Sequence, residues 1–130
     1  MENQISTWLL VAAEQEGKRV ETVDFIFCTD EYLHKINLEY LQHDDYTDVI
    51  TFPYSETEIH GDVFISIERI RENAATVGVS FLHELCRVLV HGLLHLAGHS
   101  DKTPDLRAAM SAKEDFYLAK IAPIFTQAAP

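Results

Sequence analysis

Two histidines spaced four residues apart, followed by a glycine and two further potential metal ligands, form the part of the chain best suited to chemistry. His91 and His95 occupy positions i and i+4. In a helix these positions lie on one face with Cβ atoms about 5–6 Å apart, so both imidazoles can bind one ion. Gly98 predicts a turn that brings later side chains back over the helix end, because glycine adopts left-handed backbone conformations without strain. Either His99 or Asp101 is then expected to be the third ligand.

A site with three protein ligands predicts a catalytic rather than a structural zinc ion, because the fourth tetrahedral position stays open to water. Zinc in such a site lowers the pKa of its water to about 7 and thereby provides hydroxide at neutral pH. The predicted cofactor is one Zn²⁺ per chain, although imidazole and carboxylate ligands also accept other first-row divalent metals. Hydrolysis is the expected reaction class.

A histidine pair at this spacing also occurs on surface helices that bind no metal. Here the surrounding residues are apolar on nearly every side of the helix, which indicates a buried helix. They are Leu82, Leu85, Cys86, Val88, Leu89, Val90, Leu93, Leu94, Leu96 and Ala97. Buried imidazoles without partners cost free energy, so we expect the two histidines to be hydrogen-bonded or metal-bound.

The same segment resembles a family signature. The letters HGLLHLAGHSD are similar to H-G-x-L-H-L-x-G-Y-D-H of the YbeY family, bacterial metal-dependent endoribonucleases associated with ribosomal RNA maturation and ribosome quality control. Asn37, residues 47–53, residues 61–66 and residues 84–85 also resemble family positions, in the family order, over about residues 20–118. The resemblance implies an α+β fold and attack of metal-activated water on an RNA phosphodiester, in processing of the 16S rRNA 3′ end. It further implies rRNA in ribosomal particles as the partner, with a ribosomal protein or a GTPase as candidate protein partners.

The resemblance also implies His91, His95 and Asp101 as the ligand set, because this chain has Asp101 where the family has its third histidine. Aspartate is an ordinary zinc ligand. His99 stands where the family usually has tyrosine, and it remains the alternative third ligand or a partner of a ligand. Many family members have an arginine, thought to serve the RNA substrate, where this chain has Leu41.

Arg87 is the candidate replacement for that arginine. It lies one turn before His91 on the same predicted helix face, where its guanidinium could contact a substrate phosphate. An ion pair with Glu84 or another acid is an equally good interpretation of Arg87.

Two other functions fit parts of the pattern. A metal-stabilised module that docks on the ribosome and cleaves little by itself fits the acidic charge and Leu41. A zinc peptidase fits the histidine spacing, but Gly92 stands where such enzymes carry the glutamate that acts as general base, and glycine has no side chain to take a proton. Glu84, two turns earlier on a similar helix face, is not assigned as that base.

The charge of the chain limits its partners. It has 10 Lys and Arg residues against 21 Asp and Glu residues, a net charge of −11. Broad nonspecific binding to nucleic acid, including DNA, is not expected, because it depends on cations that displace counterions from phosphates. The candidate cations of a local basic groove are Lys18, Arg19, Arg69, Arg71, Arg87, Lys102 and Arg107.

The length of 130 residues predicts one metal-dependent hydrolase domain over residues 1–122, followed by a frayed tail over residues 123–130. Cys28 and Cys86 lie in apolar segments without C-x-x-C spacing, which is typical of a reducing compartment. No basic N-terminal region and no apolar run near ~18 residues is present, so we expect no signal peptide and no membrane span. A cytoplasmic location is expected.

Hydrophobic periodicity predicts the order α-β-α-β-β-α-α-α. The helices are predicted over about residues 3–16, after a cap at Thr29 or Asp30, over about 67–76, after Ser80 and from Thr103, and the strands over about 23–28, 48–54 and 61–67. The first strand is expected to be buried on both faces. We also expect Leu106, Met110 and Tyr117 on the inner face of the last helix, and His60 in an exposed loop. The predicted fold is an α+β domain, a small mixed β-sheet packed against several helices, with the metal-ligand helix in the core.

Overall fold

Five helices and three strands follow one another in the predicted order within residues 1–124, the part of the chain that the computed structural model describes. They are α1 (Glu2–Gln15), β1 (Val20–Cys28), α2 (Asp30–Leu41), β2 (Val49–Pro53), β3 (Ile59–Ser66), α3 (Ile67–Val77), α4 (Phe81–Leu96) and α5 (Pro104–Ile121). The predicted α+β class is confirmed.

The sheet is small and mixed, with strand order β1-β3-β2. β1 pairs with β3 in parallel, and β2 pairs with β3 in the antiparallel sense. The central strand β3 places Ile59, Val63 and Ile65 in the main core, together with apolar side chains of α1, α4 and α5. α2 covers the opposite face through a smaller cluster that includes Leu33 and Ile36. The second strand, β2, is therefore an edge strand beside α4.

The prediction that the first strand is buried on both faces is wrong. β1 is the other edge strand, and none of its residues is fully buried. Its apolar residues pack against two different clusters. Val23 and Phe25 contact the main core, and Cys28 contacts the α2 cluster. Phe27, near the end of the strand, is 49 % exposed.

Two smaller expectations are also wrong. His60 lies within β3 and not in an exposed loop, and its Nδ1 is 3.3 Å from a carboxylate oxygen of Glu21. Leu106 is exposed in the first turn of α5, ahead of the point where Met110 and Tyr117 enter the core. That turn is capped by Thr103, whose hydroxyl accepts a hydrogen bond from the amide of Leu106.

The predicted frayed tail, residues 123–130, falls mostly outside the described residues, which end at 124. Within the described part, Ile124 is buried in the main core. Among residues 1–124, no single helix is long and apolar enough to cross a membrane, and one bent pair, α3 with α4 at 116°, passes by length and composition alone.

α4 has well-defined ends, which fix where its side chains point. At its start the hydroxyl of Ser80 accepts a hydrogen bond from the amide of His83. At its end Gly98 has φ of +105°, and the amide of His99 bonds the carbonyl of Leu94 at 3.0 Å. This 6→1 bond is typical of a Schellman turn, which satisfies the last carbonyls of a helix. The turn directs the chain after α4 back toward the last two turns of the helix.

Candidate metal centre

Three potential ligand atoms converge at the C-terminal end of α4. The Nε2 atoms of His91 and His95 are 3.0 Å apart, and Oδ2 of Asp101 lies 3.6 Å from the first and 3.3 Å from the second. Within residues 1–124 this is the one group of three His, Cys, Asp or Glu residues whose ligand atoms all lie within 4.8 Å of one another. The helix supplies two side chains and the turn after Gly98 supplies the third.

The outer nitrogen of each ring has its own hydrogen-bond acceptor. Nδ1 of His91 lies 2.6 Å from Oε2 of Glu114, and Nδ1 of His95 lies 2.9 Å from the carbonyl oxygen of His99. A carbonyl can only accept, so Nδ1 of His95 carries the proton, and the carboxylate of Glu114 favours the same tautomer for His91. Both Nε2 lone pairs then face each other beside the Asp101 carboxylate.

This donor set fits a divalent metal ion. Three electron-pair donors at such short separations, without a proton between them, repel one another unless a cation lies among them. A tetrahedral ion with bonds of about 2.0–2.1 Å holds its ligand atoms about 3.3–3.4 Å apart, and the observed 3.0, 3.3 and 3.6 Å bracket that separation. Imidazoles that donate Nδ1–H to a carboxylate or a carbonyl are also the usual arrangement behind metal-bound histidines.

The two imidazoles differ in their affinity for protons. Burial lowers the pKa of His91, but the hydrogen bond and charge of Glu114, with the charge of Asp101, outweigh burial and raise this pKa above its ordinary value. Burial and the neighbouring His91 lower the pKa of His95. His91 is therefore the more basic ring of the pair and His95 the less basic one.

His99 does not join the ligand group. Its Nε2 lies 2.6 Å from Oε1 of Glu16, a carboxylate that is only 7 % exposed. Burial raises the pKa of Glu16, but hydrogen bonds from Tyr117, His99 and Lys113 outweigh burial and lower it. The structure thus brings Asp101 to the two histidines and uses the backbone carbonyl of His99 behind His95.

Arg87 forms the ion pair that was its alternative interpretation, with acids of α5 and not with Glu84. Its Nη1 lies 2.9 Å from Oε1 of Glu114 and its Nη2 lies 2.8 Å from Oδ1 of Asp115. Because the other oxygen of Glu114 contacts His91, the guanidinium supports the acceptor behind that ring.

The three potential ligand atoms face a cleft of about 840 Å³ between the α2–β2 connection, the edge strand β2, α4 and α5. Leu41 lines the rim of the cleft, far along the chain from the histidines. Asp48 and Glu84 line its wall, and burial raises the pKa of both carboxyl groups. Lys102 and Arg107 line the side next to Asp101, whose carbonyl accepts a hydrogen bond from Arg107.

Comparison with known proteins agrees with this architecture. A family model described as Endoribonuclease YbeY matches residues 1–122. The chain belongs to the YbeY endoribonuclease family. A protein named Endoribonuclease YbeY from Flavobacterium johnsoniae is 47 % identical over 119 residues, which cover 91 % of this chain and 86 % of that protein. A protein of the same name from Cytophaga hutchinsonii is 48 % identical over 118 residues, 89 % of this chain and 82 % of its own length.

A solved structure has a similar fold. The solution structure of TM1509 from Thermotoga maritima is similar with a TM-score of 0.72 and 25 % identity, and the match covers 96 % of this chain and 83 % of that one. The resemblance of the motif HGLLHLAGHSD to the YbeY signature is thereby confirmed at the level of the family.

Sequence reasoning missed two residues of this YbeY site. Glu114 lies 23 residues after His91, and Glu16 lies 83 residues before His99. No sequence pattern near the histidines points to either residue, because Glu114 belongs to α5 and Glu16 follows α1. A third carboxylate, Asp48, lies half-buried in the same cleft.

Proposed function

We propose that this chain is a zinc-dependent endoribonuclease that acts in ribosomal RNA maturation, at the 3′ end of 16S rRNA, and in ribosome quality control in the cytoplasm. Its family and the names of its relatives support cleavage of RNA. The observation that carries metal dependence is the convergence of His91, His95 and Asp101, with both Nδ1 atoms already engaged. When bound there, a divalent ion supplies a Lewis acid for a phosphoryl oxygen and acidifies a water.

The residues of the chain divide the remaining work among them. His91, His95 and Asp101 hold the ion, and Glu114 keeps the first imidazole in the tautomer that presents Nε2. Arg87 acts through Glu114 in this proposal, because two carboxylates already occupy its guanidinium. The RNA is proposed to lie in the cleft, which is lined by residues of β2 as well as by the three candidate ligands.

Lys102 and Arg107 take the phosphate contact that was first assigned to Arg87. Both are exposed, and both line the cleft together with the proposed ligand Asp101. In a chain of net charge −11, local cations are needed to bring a polyanion to the site. Replacing both with alanine should weaken RNA binding and reduce its salt dependence by about one phosphate contact for each residue.

The zinc peptidase alternative finds no support at Gly92. A Cβ at this position would lie 2.8 Å from Cγ1 of Val63, a fully buried side chain of β3. At this position α4 therefore packs directly against the sheet. No space is left there for the glutamate that a peptidase would need. The ribosome-binding module remains the second candidate, and the acidic charge and Leu41 are the observations that favour it.

The test is cleavage of a labelled RNA carrying the 16S 3′ end, in the presence of ribosomal particles. Zinc-loaded wild type should cleave it, chelation should stop cleavage, and His95→Ala should be inactive at equal protein purity. Particle binding is measured in the same samples. Equal, background-level cleavage by wild type and His95→Ala, with particle binding kept by both, would favour the binding module and reject the nuclease.

The phosphate contact is tested separately with chelated protein, so that binding is measured without cleavage. Lys102→Ala/Arg107→Ala is compared with Lys35→Ala/Arg71→Ala, which removes the same charge outside the cleft. The first pair should weaken RNA binding several-fold more than the second. Equal losses would assign the effect to net charge alone.

A further inference from the structure

The carboxylate of Glu16 joins three parts of the fold next to the metal centre. It follows α1, is 7 % exposed, and accepts hydrogen bonds from His99 after α4 and from Lys113 and Tyr117 of α5. The His99 bond uses Oε1 at 2.6 Å, and the Tyr117 hydroxyl uses Oε2. None of these side chains is a ligand, so the cluster has no role in the mechanism described above.

The backbone of His99 has a second contact, and this one reaches the metal centre. While its ring is held by Glu16, its carbonyl oxygen accepts the Nδ1–H of His95 at 2.9 Å. Gly98 precedes it at φ of +105°, and Asp101 follows two residues later. The position of one residue therefore determines both the acceptor behind His95 and the approach of the third ligand.

We infer that Glu16 is a positioning residue for the metal centre, which acts by anchoring the ring of His99 so that the His99 carbonyl and Asp101 are held in place for the ion. The inference rests on the proposed metal site. In this inference the side chain of His99 does not bind the metal ion but holds the turn that carries Asp101. The hydrogen bond between Glu16 and His99 connects the turn after α4 to the end of α1.

The anchor should affect metal affinity more than a general contact would. Partners that orient a metal-bound histidine change affinity by about 10–100-fold when they are removed. Glu16 acts one contact further out, so we expect the lower end, about tenfold. Loss of the Tyr117 hydroxyl removes one bond to the same carboxylate but leaves the Oε1–His99 bond, and provides the matched control.

The experiment measures the zinc dissociation constant by competition with a chromophoric chelator, together with urea unfolding of each metal-free variant. Glu16→Leu and His99→Leu should each weaken zinc binding about tenfold, and the double variant should be no weaker than either, because both remove one contact. His99→Gln, which keeps an N–H donor, should bind nearly as wild type. Tyr117→Phe should lose stability without losing zinc affinity.

The outcomes separate this inference from the proposed function. Wild-type zinc affinity in Glu16→Leu and His99→Leu overturns the positioning role and leaves the metal site standing. Equal weakening in Tyr117→Phe and His99→Leu also overturns it, because the effect would then follow stability. A wild type that binds no zinc overturns the proposed metal site and the inference together.

Discussion

At the scale of single residues, the centre depends on acceptors that hold the rings from behind. Glu114 is 7 % exposed in its side chain and divides its two oxygens between Arg87 and His91. A buried carboxylate in this position orients the imidazole and increases the basicity of its ligand nitrogen. Removing the acceptor should therefore affect the ion although Glu114 does not touch it.

Glu114→Ala should weaken zinc binding about 10–100-fold, measured by chelator competition, because the ring of His91 loses its orienting partner. Asp115→Ala is the matched control, since it removes the other partner of Arg87 from an exposed position. It should bind zinc as wild type does. Equal losses in the two variants would show that Arg87, and not the carboxylate behind His91, determines affinity.

At the scale of the elements, α4 and its terminal turn form one unit that carries all three proposed ligand atoms. The last two turns present the histidines, and the Schellman turn at Gly98 returns the chain so that Asp101 reaches them. α3 ends in a comparable left-handed residue, Gly78 at φ of +76°, away from the centre. The two glycines allow backbone strain to be separated from its effect on the site.

Gly98→Ala should destabilise the protein by about 1–2 kcal/mol, because a Cβ strains a left-handed backbone, and it should also weaken zinc binding. Gly78→Ala should lose similar stability and keep its zinc affinity. Urea unfolding of the metal-free proteins and chelator competition measure the two quantities. Unchanged zinc binding in Gly98→Ala would contradict the role of this turn.

The features that sequence predicted well are those that depend on neighbouring residues. The caps at Thr29, Ser80 and Thr103, the histidine spacing and the turn glycine are all local patterns, and each is present. The position of β1 at a sheet edge could not be predicted, because strand order is set by pairing between distant segments. Glu16 and Glu114 were missed for the same reason.

At the scale of the whole molecule, apolar packing accounts for the core without an ion. The main cluster joins α1, α4, α5 and the sheet through buried hydrophobic side chains. The chain should therefore stay folded without metal, and zinc should add stability only by binding the native state. In that case the fold of the protein does not depend on metal binding in the cleft.

Chelated wild type should keep its far-UV circular dichroism and unfold cooperatively. Free zinc a hundredfold above its dissociation constant should raise the free energy of unfolding by about 2.7 kcal/mol. His91→Ala should fold without metal and show no zinc-dependent gain. Loss of structure on chelation of wild type would instead make the metal a part of the core.

The measurement that tests the central claim most directly is the number of zinc ions bound per chain at saturating zinc in wild type, Asp101→Ala and His99→Leu. The structure predicts one ion for wild type and for His99→Leu, and clearly less than one for Asp101→Ala, because Asp101 supplies a ligand atom while His99 supplies only its backbone carbonyl. Full loading of Asp101→Ala together with loss of zinc from His99→Leu would contradict the ligand set, and an empty wild type would remove the metal centre altogether.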